Sequence, residues 1–375
     1  MKSKSERLIS VDILRGLTII FMIIVNDPGS WSHVYAPLLH AEWNGITPTD
    51  YIFPTFLFIV GVSIVLSLSK KKDGGLAKNI LLKKIIWRSI KIYLVGLFLW
   101  LWPDFDFENI RWAGVLQRIS LVYLFCALIF LYLNLRSQII FLFLILVFYT
   151  IIMCFIPVPG IGYPDLSVPE KNWAHYIDTL LLPGVMWEDT WDPEGILTTL
   201  PSIGTGILGL IGGYILTSKS DLIKKMLHLS LFGFVLFFLG DISQYVFPLN
   251  KNLWSTSFTL LVGGISSLSL CFCLYICDYL NLGDRFKFAQ SFGVNSIFSY
   301  MMAGMLTFLF YDNKIVIFQN TLFDWGIGLN QLFINVFSEI GLPLKLLSFL
   351  FAVFYVIIVW IPTSYLFKRK IFIKL

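Results

Sequence analysis

Residues 51–69 read YIFPTFLFIVGVSIVLSLS and contain no charged side chain. Lys70, Lys71 and Lys72 follow immediately. An apolar helix of about 20 residues crosses the roughly 30 Å hydrocarbon core of a bilayer. Lysines at the end of such a helix are typical of the cytoplasmic side of a membrane. This stretch therefore predicts a transmembrane helix that ends inside the cell.

The rest of the chain is similarly apolar. Of its 375 residues, 57% are hydrophobic and 14% are charged, and the mean hydropathy is +0.79. These values exclude a soluble cytosolic domain and a disordered chain. The net charge of +5 comes from basic residues at the ends of apolar runs, so it does not indicate nucleic-acid binding. The cysteines lie inside apolar runs, which predicts buried thiols and no metal site.

Apolar runs long enough to span a membrane predict an all-α polytopic bundle of about ten transmembrane helices. The predicted spans are residues 11–27, 51–69, 85–102, 112–133, 137–156, 196–217, 224–247, 253–278, 291–311 and 343–367. The ends of these runs on the side of the termini are rich in basic residues: Lys2, Lys4, Arg7, Lys70, Lys71, Lys72, Lys78, Lys83, Lys84, Arg136, Lys219, Lys224, Lys225, Arg285, Lys287, Lys368, Arg369, Lys370 and Lys374. The positive-inside rule then places both termini in the cytoplasm.

We expect one integral-membrane domain over residues 1–375, with its longer connections, residues 28–50, 157–195 and 312–342, on the outer face. The segment 157–195 combines prolines, acidic residues and tryptophans, which favours an ordered cap. Its tryptophans fit either carbohydrate stacking or an interfacial aromatic belt. Compact loops and the absence of a small-residue cleavage site after the first apolar run favour a bacterial inner membrane.

Ionisable residues inside a membrane span are costly, so each is a candidate functional residue. Asp12 and Arg15 are three residues apart on one helix face and can pair, either to fix the helix end or to contact a ligand. Gln117 and Arg118 lie about two turns inside the fourth span. An arginine at that depth needs an anionic partner, which is either a carboxylate such as Asp50, Asp192 or Glu194, or a ligand phosphate.

The most polar stretch is LHAEWNGITPTD, residues 39–50. The imidazole of His40 is suited to accept a proton near neutral pH, and Asp50 is suited to orient it. The amide of Asn26, at the end of the first span, is suited to stabilise an oxyanion. An isolated loop histidine is also commonly an ordinary polar residue.

Other catalytic motifs do not fit. Gly204, Gly206 and Gly209 form a GxGxxG pattern, but they lie inside an apolar span, so we expect close helix packing rather than dinucleotide binding. The sequence contains no Gly-x-Ser-x-Gly elbow, Walker loop or His-Glu-x-x-His motif. This argues against a serine hydrolase, an NTPase and a zinc peptidase.

Six blocks, in order along the chain, resemble the heparan-α-glucosaminide N-acetyltransferase family of transmembrane acyltransferases. They are SVDILRG at 10–16 with Asn26 downstream, HAEWNGITPTD at 40–50 with Phe53 and Pro54, GVLQRI at 114–119, DPEGIL at 192–197, NKNLWS at 250–255 and GVNSI at 293–297. The blocks extend over essentially the whole chain. The loop between Asn26 and His40 is longer than in the animal lysosomal enzymes.

The resemblance implies a bundle of ten or eleven helices, often dimeric, that transfers acetyl from acetyl-CoA across the membrane to the amine of a terminal glucosamine. It implies His40 as the active histidine, assisted by Asn26. With it we assign catalysis to His40, Asn26 and Asp50, acetyl-CoA binding to Arg15, Gln117, Arg118, Asn295 and Ser296, and acceptor binding to Trp43, Asn44, Asp192 and Glu194. The expected partners are acetyl-CoA, an amino-sugar or glycan acceptor, the lipid bilayer and a second copy in a homodimer.

Two mechanisms stay open: His40 deprotonates the amine in a ternary complex, or it carries the acetyl group as an acyl-imidazole. Two other functions also stay open. One is O-acylation of a polysaccharide or a lipid-linked sugar. The other is secondary transport, although a transporter usually has its site near the midplane between related halves.

Overall fold

The computed structural model describes residues 8–317 and 320–373. Lys2, Lys4, Arg7 and Lys374, which contributed to the predicted orientation, lie outside these residues. The helices in the described part are α1 Ile9–Asn26, α2 Ile52–Asp73, α3 Lys78–Leu101, α4 Val115–Tyr132, α5 Leu135–Phe155, α6 Trp173–Leu181, α7 Thr199–Thr217, α8 Leu222–Ser243, α9 Thr256–Cys273, α10 Lys287–Val294, α11 Ser296–Tyr311, α12 Leu329–Ser338 and α13 Leu344–Lys368. Strands β1 Lys314–Ile317 and β2 Asn320–Asp324 form one antiparallel pair between α11 and α12.

The predicted all-α polytopic membrane bundle is confirmed. Among the described residues, eight helices are long and apolar enough to cross a membrane, and α10 with α11, bent by 71° at Asn295, makes nine. The predicted span 85–102 falls in α3, whose 24 residues include Lys83, Lys84, Arg88 and Lys91. With these charges, α3 is not apolar enough to count among the candidate membrane-spanning helices. This explains why the described part of the chain has nine candidate spans where the sequence predicted ten. The cytoplasmic location of the termini stays a prediction.

Helix α7 lies at the centre of the bundle and packs closely on α2. A Cβ on Gly209 would lie 2.0 Å from the carbonyl oxygen of Phe58, and one on Gly61 would lie 2.0 Å from that of Gly206. The predicted role of the α7 glycines in close helix packing is therefore confirmed. Helices α5 and α8 lie at the periphery, and large apolar side chains such as Phe148 and Phe238 are exposed on them, as expected of helices in contact with lipid.

The segments 28–50, 157–195 and 312–342 meet at one end of the bundle, here called the loop end. The Trp43 indole donates a hydrogen bond to the carbonyl of Leu166 at 2.8 Å, and the Asn330 amide donates to the carbonyl of Gly29 at 3.1 Å. Helices α1, α3, α5, α8 and α11 end here, and α2, α4, α7, α9 and α13 begin here. The loop end therefore gathers the side chains at the ends of ten helices.

Candidate functional site

His40 and Asp50 form a hydrogen-bonded pair at the loop end. The Nδ1 atom of His40 lies 2.6 Å from Oδ1 of Asp50. Asp50 lies in the short 3₁₀ turn before α2, and its Oδ2 accepts hydrogen bonds from the backbone N–H groups of Thr47 at 2.9 Å and Ala41 at 3.2 Å. Asp50 is buried, whereas 47% of the His40 side chain is exposed. The carboxylate is therefore fixed, and the imidazole that it orients is accessible to substrate.

Lys251 completes this pair, and sequence reasoning gave it no role. Its Nζ lies 3.1 Å from Nδ1 and 3.2 Å from Nε2 of His40, and 3.9 Å from Oδ1 of Asp50. Burial lowers the pKa of Lys251, and the negative charges of Asp50 and Glu194 partly oppose this effect. The only signal in the sequence was its position inside the NKNLWS block. We call these three residues the histidine triad.

Trp43 and Asn44, predicted to bind the acceptor, are engaged in holding the His40 loop in place. The indole of Trp43 bonds to the carbonyl of Leu166 and meets the ring of Trp191 edge-on at 5.1 Å. The Asn44 side chain accepts a hydrogen bond from the Asn250 amide at 3.1 Å. These contacts join the His40 loop to the segment 157–195 and to the loop that carries Lys251. Acceptor binding by the two residues stays a prediction.

Asp192 and Glu194, also predicted to bind the acceptor, share one arginine. Nε and Nη2 of Arg111 donate to the two oxygens of Asp192, each at 2.7 Å, and Nη2 also donates to Oε2 of Glu194 at 2.7 Å. The guanidinium lies 4.9 Å from the ring centre of Trp187. Burial lowers the pKa of Arg111, but the bonds and charges of the two carboxylates outweigh it and raise the pKa. We call this group the Arg111 cluster.

Arg118 makes no ion pair with a carboxylate in the described part of the chain. Asp192 and Glu194, two of its predicted partners, bind Arg111 instead. It donates hydrogen bonds to the hydroxyl of Thr198 and, at 3.3 Å, to the carbonyl of Gly195, and it lies 5.0 Å from the Trp254 ring centre. Its side chain is fully buried, and Nε and Nη1 have no hydrogen-bond partner among the described residues. The described residues therefore provide no carboxylate partner for Arg118. Binding of a ligand phosphate by Arg118 stays a prediction.

Asn26 and Gln117 lie toward the same end of the bundle. Asn26 is the last residue of α1, and its side chain is exposed. Gln117 is buried in the first turn of α4, where its side chain fills the space beside Gly96 and Gly114. Asn26 is thus accessible to a substrate, whereas Gln117 lies inside the packing between α3 and α4.

The other residues assigned to acetyl-CoA lie toward the opposite end. Arg15 is about 16 Å from Asn26 along α1, and it bonds to the carbonyl of Gly293 at 3.2 Å and to Asp12 at 3.3 Å. Asn295 lies at the bend between α10 and α11 and bonds to the backbone of residues 371 and 373. Ser296 begins α11. Arg15 is thus separated from Asn26 by more than half the length of α1.

A cleft of about 480 Å³ extends between α1, α2 and α9 and spans much of this distance. Its lining is mainly apolar with several hydroxyl groups: Leu14, Leu17, Thr18, Phe21, Tyr51, Ile52, Thr55, Ile265, Leu268, Ser269, Phe272 and Cys273. Leu14 precedes Arg15 in sequence, and Tyr51 follows Asp50. The cleft therefore runs along the bundle from the level of Arg15 to the level of Asp50, although neither residue lines it.

Residues 7–252 match the family model described as the catalytic part of heparan-α-glucosaminide N-acetyltransferase. The match covers His40 and Asp50 and ends one residue after Lys251. The chain belongs to the heparan-α-glucosaminide N-acetyltransferase family. The predicted family is therefore confirmed, and four of the six sequence blocks lie wholly within the matched residues.

Two members of this family are similar over most of the chain. The heparan-α-glucosaminide N-acetyltransferase of Mus musculus is 30% identical over 356 residues, which cover 80% of this chain and 54% of the mouse protein. The Homo sapiens protein of the same name is 30% identical over 354 residues, which cover 79% of this chain and 52% of its own length. The chain thus spans about half the length of these relatives.

Proposed function

We propose that the protein is a membrane acetyltransferase that moves an acetyl group from acetyl-CoA to the amine of a terminal glucosamine or a related amino sugar. The observation that carries this proposal is the histidine triad. It places an accessible imidazole, a fixed carboxylate and a largely buried lysine together inside the region that matches the family's catalytic part.

Asp50 engages Nδ1 of His40, so the ring nitrogen that we assign to the reaction is Nε2, which lies 3.2 Å from Nζ of Lys251. In the reaction the amine loses a proton, its nitrogen attacks the thioester carbonyl, and the C–S bond breaks to release CoA as a thiol. Nε2 either accepts the amine proton or takes the acetyl group first as an acyl-imidazole. Lys251 supplies positive charge where the carbonyl oxygen or the leaving sulfur gains negative charge.

The donor requires a long site, because CoA joins an anionic nucleotide to a thioester through a flexible pantetheine arm. The cleft between α1, α2 and α9 has this shape, and its hydroxyl groups are suited to the arm's amides. Leu14, the neighbour of Arg15, lines one end of the cleft, and Tyr51, the neighbour of Asp50, lines the other. We assign the phosphates to the Arg15 end and the acetyl group to the His40 end.

The test is acetylation by the purified protein with labelled acetyl-CoA and a panel of amino sugars, followed by free thiol and labelled product. Wild type is expected to release one thiol for each N-acetyl group formed, and His40→Gln is expected to lose at least about 10³-fold in rate. His228→Gln is the matched control, because His228 is exposed on α8. It is expected to retain full activity.

Other outcomes would redirect the assignment. Thiol release with hydroxyl acceptors alone would replace N-acetylation by O-acylation. No thiol release with any acceptor would overturn the acetyltransferase and favour transport. If labelled acetyl-CoA leaves a covalent label on wild type and none on His40→Gln, the reaction follows the acyl-imidazole route.

A further inference from the structure

Helix α12, in the segment 312–342, presents three different faces to its surroundings. One face packs on the turn that follows α1: the Asn330 amide donates to the carbonyl of Gly29 at 3.1 Å, and a Cβ on Gly29 would lie 3.2 Å from Cδ1 of Ile334. Since an α-helix repeats about every 3.6 residues, positions 329, 332 and 336 share a second face, and positions 331, 335 and 338 share a third. The second face has large exposed apolar side chains, those of Leu329, Leu332 and Val336. The third face has exposed polar side chains, those of Gln331, Asn335 and Ser338. Helix α12 therefore has protein on one side and two exposed sides of opposite character.

The apolar face of α12 continues the exposed apolar surface of α13. Helix α13 is long and apolar enough to cross a membrane. Its large exposed side chains recur every three or four residues, as expected of a helix face in contact with lipid: Leu350, Phe354, Ile357 and Ile361. The ring of Phe333 on α12 stacks on that of Phe354, with the ring centres 6.0 Å apart. Ile340 and Leu342, which connect the two helices, are exposed as well. One apolar surface therefore extends from α13 over α12.

The depth of α12 follows from the length of α13. Lys368 is the last residue of α13, and a basic side chain at the end of a span lies among the lipid headgroups. Counting back about 20 residues at roughly 1.5 Å each, which covers the roughly 30 Å of the hydrocarbon core, leads to Ser348. The carbonyl of Ser348 accepts a hydrogen bond at 3.0 Å from the N–H of Gly29, which α12 contacts. Helix α12 therefore lies at the level where the hydrocarbon of a bilayer gives way to the headgroups.

We propose that α12 is an interfacial membrane helix that anchors the turn after α1 to the bilayer surface at the loop end. Its apolar face lies against the headgroup ends of the acyl chains, and its polar face contacts headgroups and water, which is the position that a helix with two such faces takes. Its bond to Gly29 then holds the chain three residues after Asn26. The partner of α12 is the lipid surface, and this role does not depend on the proposed acetyltransfer.

The test measures the depth of labelled positions in the full chain, reconstituted into phosphatidylcholine liposomes. Val336→Cys on the apolar face carries a bimane fluorophore, and Asn335→Cys, its neighbour on the polar face, is the matched control. Ile357→Cys on α13 marks a position deep in the hydrocarbon. Wild type taken through the same labelling gives the signal of the native cysteines, which is subtracted. The quenchers are aqueous iodide and lipids that carry a nitroxide at either the start or the end of the acyl chain.

At Val336→Cys the shallow nitroxide is expected to quench at least about threefold more than iodide, and at Asn335→Cys iodide is expected to quench more. At Ile357→Cys the deep nitroxide is expected to quench most. Iodide quenching of Val336→Cys as strong as that of Asn335→Cys would place α12 in water and overturn the proposal. Stronger quenching of Val336→Cys by the deep nitroxide would place α12 inside the hydrocarbon and overturn it too. Protection of Val336→Cys from every quencher would mean that a second copy of the chain covers the face, which also contradicts a lipid contact.

A second measurement needs no variant. Wild type in the same liposomes is photolabelled by a lipid that carries a diazirine beside its headgroup, and mass spectrometry locates the label. Labelling is expected on the apolar face of α12, at positions 329, 332 and 336, and is expected to be absent from positions 331 and 335. An unlabelled α12 would overturn the proposal even if a cysteine variant failed to fold.

The anchoring of the turn is tested by hydrogen exchange of the backbone N–H of Gly29, which bonds to α13. The double variant Leu332→Glu with Val336→Glu puts two charges on the apolar face and is expected to lift α12 from the lipid. Gln331→Glu with Asn335→Glu puts the same charges on the polar face and is the matched control. In liposomes the first double variant is expected to exchange at least about tenfold faster over residues 27–31, and the control is expected to match wild type. Equal exchange rates in the two double variants would overturn the anchoring.

Discussion

At the scale of single residues, the site depends on a lysine held against an imidazole. A largely buried ammonium so close to His40 is stable only because Asp50 lies 3.9 Å away and neutralises part of its charge. Without Lys251, Asp50 still has its bonds to His40 and to the backbone N–H groups of Thr47 and Ala41. We therefore expect replacement of Lys251 to change the chemistry more than the fold.

Lys251→Met is expected to lower kcat by about 10²-fold with KM for acetyl-CoA changed by less than about threefold, because the charge acts on the transition state. Its lowered pKa means that the charged form is lost at a lower pH than in an ordinary lysine. Wild-type activity is therefore expected to fall on the alkaline side, and this limb is expected to be absent from Lys251→Met. Lys171→Met, on the exposed part of the segment 157–195, is the control. An unchanged kcat would remove Lys251 from the site.

Asn26→Ala is expected to lower kcat by about 10²-fold with little change in KM, if its amide stabilises the tetrahedral oxyanion. Steady-state rates over a range of acetyl-CoA and glucosamine concentrations measure this. Asn281→Ala, an exposed asparagine in the connection after α9, is a suitable control. An effect on KM alone would assign Asn26 to binding instead.

Local sequence could predict the pair of His40 and Asp50, since both lie within one polar stretch and the structure places them 2.6 Å apart. It could not predict Lys251, because 211 residues separate it from His40 and no spacing rule joins two loops at that distance. The sequence could not decide between the possible partners of Arg118 either, because they too lie far from it along the chain. Arg111 is bound to Asp192 across 81 residues, and only the fold decides which arginine meets that carboxylate.

At the scale of elements, α6 attaches the segment 157–195 to the start of α7. Oδ1 of Asp178 accepts a hydrogen bond from the backbone N–H of Ile196 at 2.8 Å, and a Cβ on Gly195 would lie 1.9 Å from Oδ2 of Asp178. Gly195 also provides the carbonyl that binds Arg118. The glycine is therefore required by this close approach, and α6 helps to position the Arg118 side chain.

Asp178 makes this attachment sensitive to pH. Burial raises its pKa from 3.8 to about 7. Below pH 3.8 both folded and unfolded chains carry the protonated group, so stability is unaffected. As the pH rises from 3.8 to about 7, the unfolded chain ionises first and the free energy of unfolding falls.

Asp178→Asn keeps an oxygen that accepts the hydrogen bond from Ile196. It also removes the loss of stability that ionisation of Asp178 causes. Its melting temperature at pH 8 is expected to exceed that of wild type by several degrees, since each kcal/mol of added stability raises it by on the order of 2–4 °C. This gain in melting temperature is expected to shrink toward pH 4. Thermal unfolding in detergent at both pH values measures it. Glu339→Gln, which changes an exposed carboxylate at the end of α12, is the control and is expected to show no pH-dependent gain in melting temperature. A variant less stable than wild type at pH 8 would contradict this, because it would mean that the bonds of the ionised Asp178 stabilise the fold by more than its burial costs.

Elements were predicted well where the apolar pattern is simple and less well where charges interrupt it. The runs that became α2, α5 and α9 have few charges, and hydropathy alone locates them. Helix α3 carries lysines on its first turns, and the run 291–311 begins inside α10 and crosses the bend at Asn295. A bend depends on packing and on the bonds of Asn295 to residues 371 and 373, which no local pattern shows.

At the scale of the whole molecule, the proposed reaction needs its two substrates to reach one histidine from different directions. His40 lies at the loop end, where the segments 28–50, 157–195 and 312–342 leave its ring 47% exposed. The cleft between α1, α2 and α9 approaches the same place from the level of Arg15. If the termini are cytoplasmic, as the basic residues predict, the cleft leads from the cytoplasm toward an acceptor outside.

Oriented vesicles test this geometry directly. With acetyl-CoA supplied only on the side of the termini, glucosamine on the opposite side is expected to become N-acetylated, because the pantetheine arm can reach His40 through the cleft while the sugar enters from the loop end. Protease protection of a tag at residue 375 fixes the orientation, and labelled N-acetylglucosamine measured in each compartment gives the result. Vesicles with His40→Gln control for leakage and chemical acetylation. Product formed only when both substrates share one side would contradict transfer across the membrane and would leave an acetyltransferase that works on a single face.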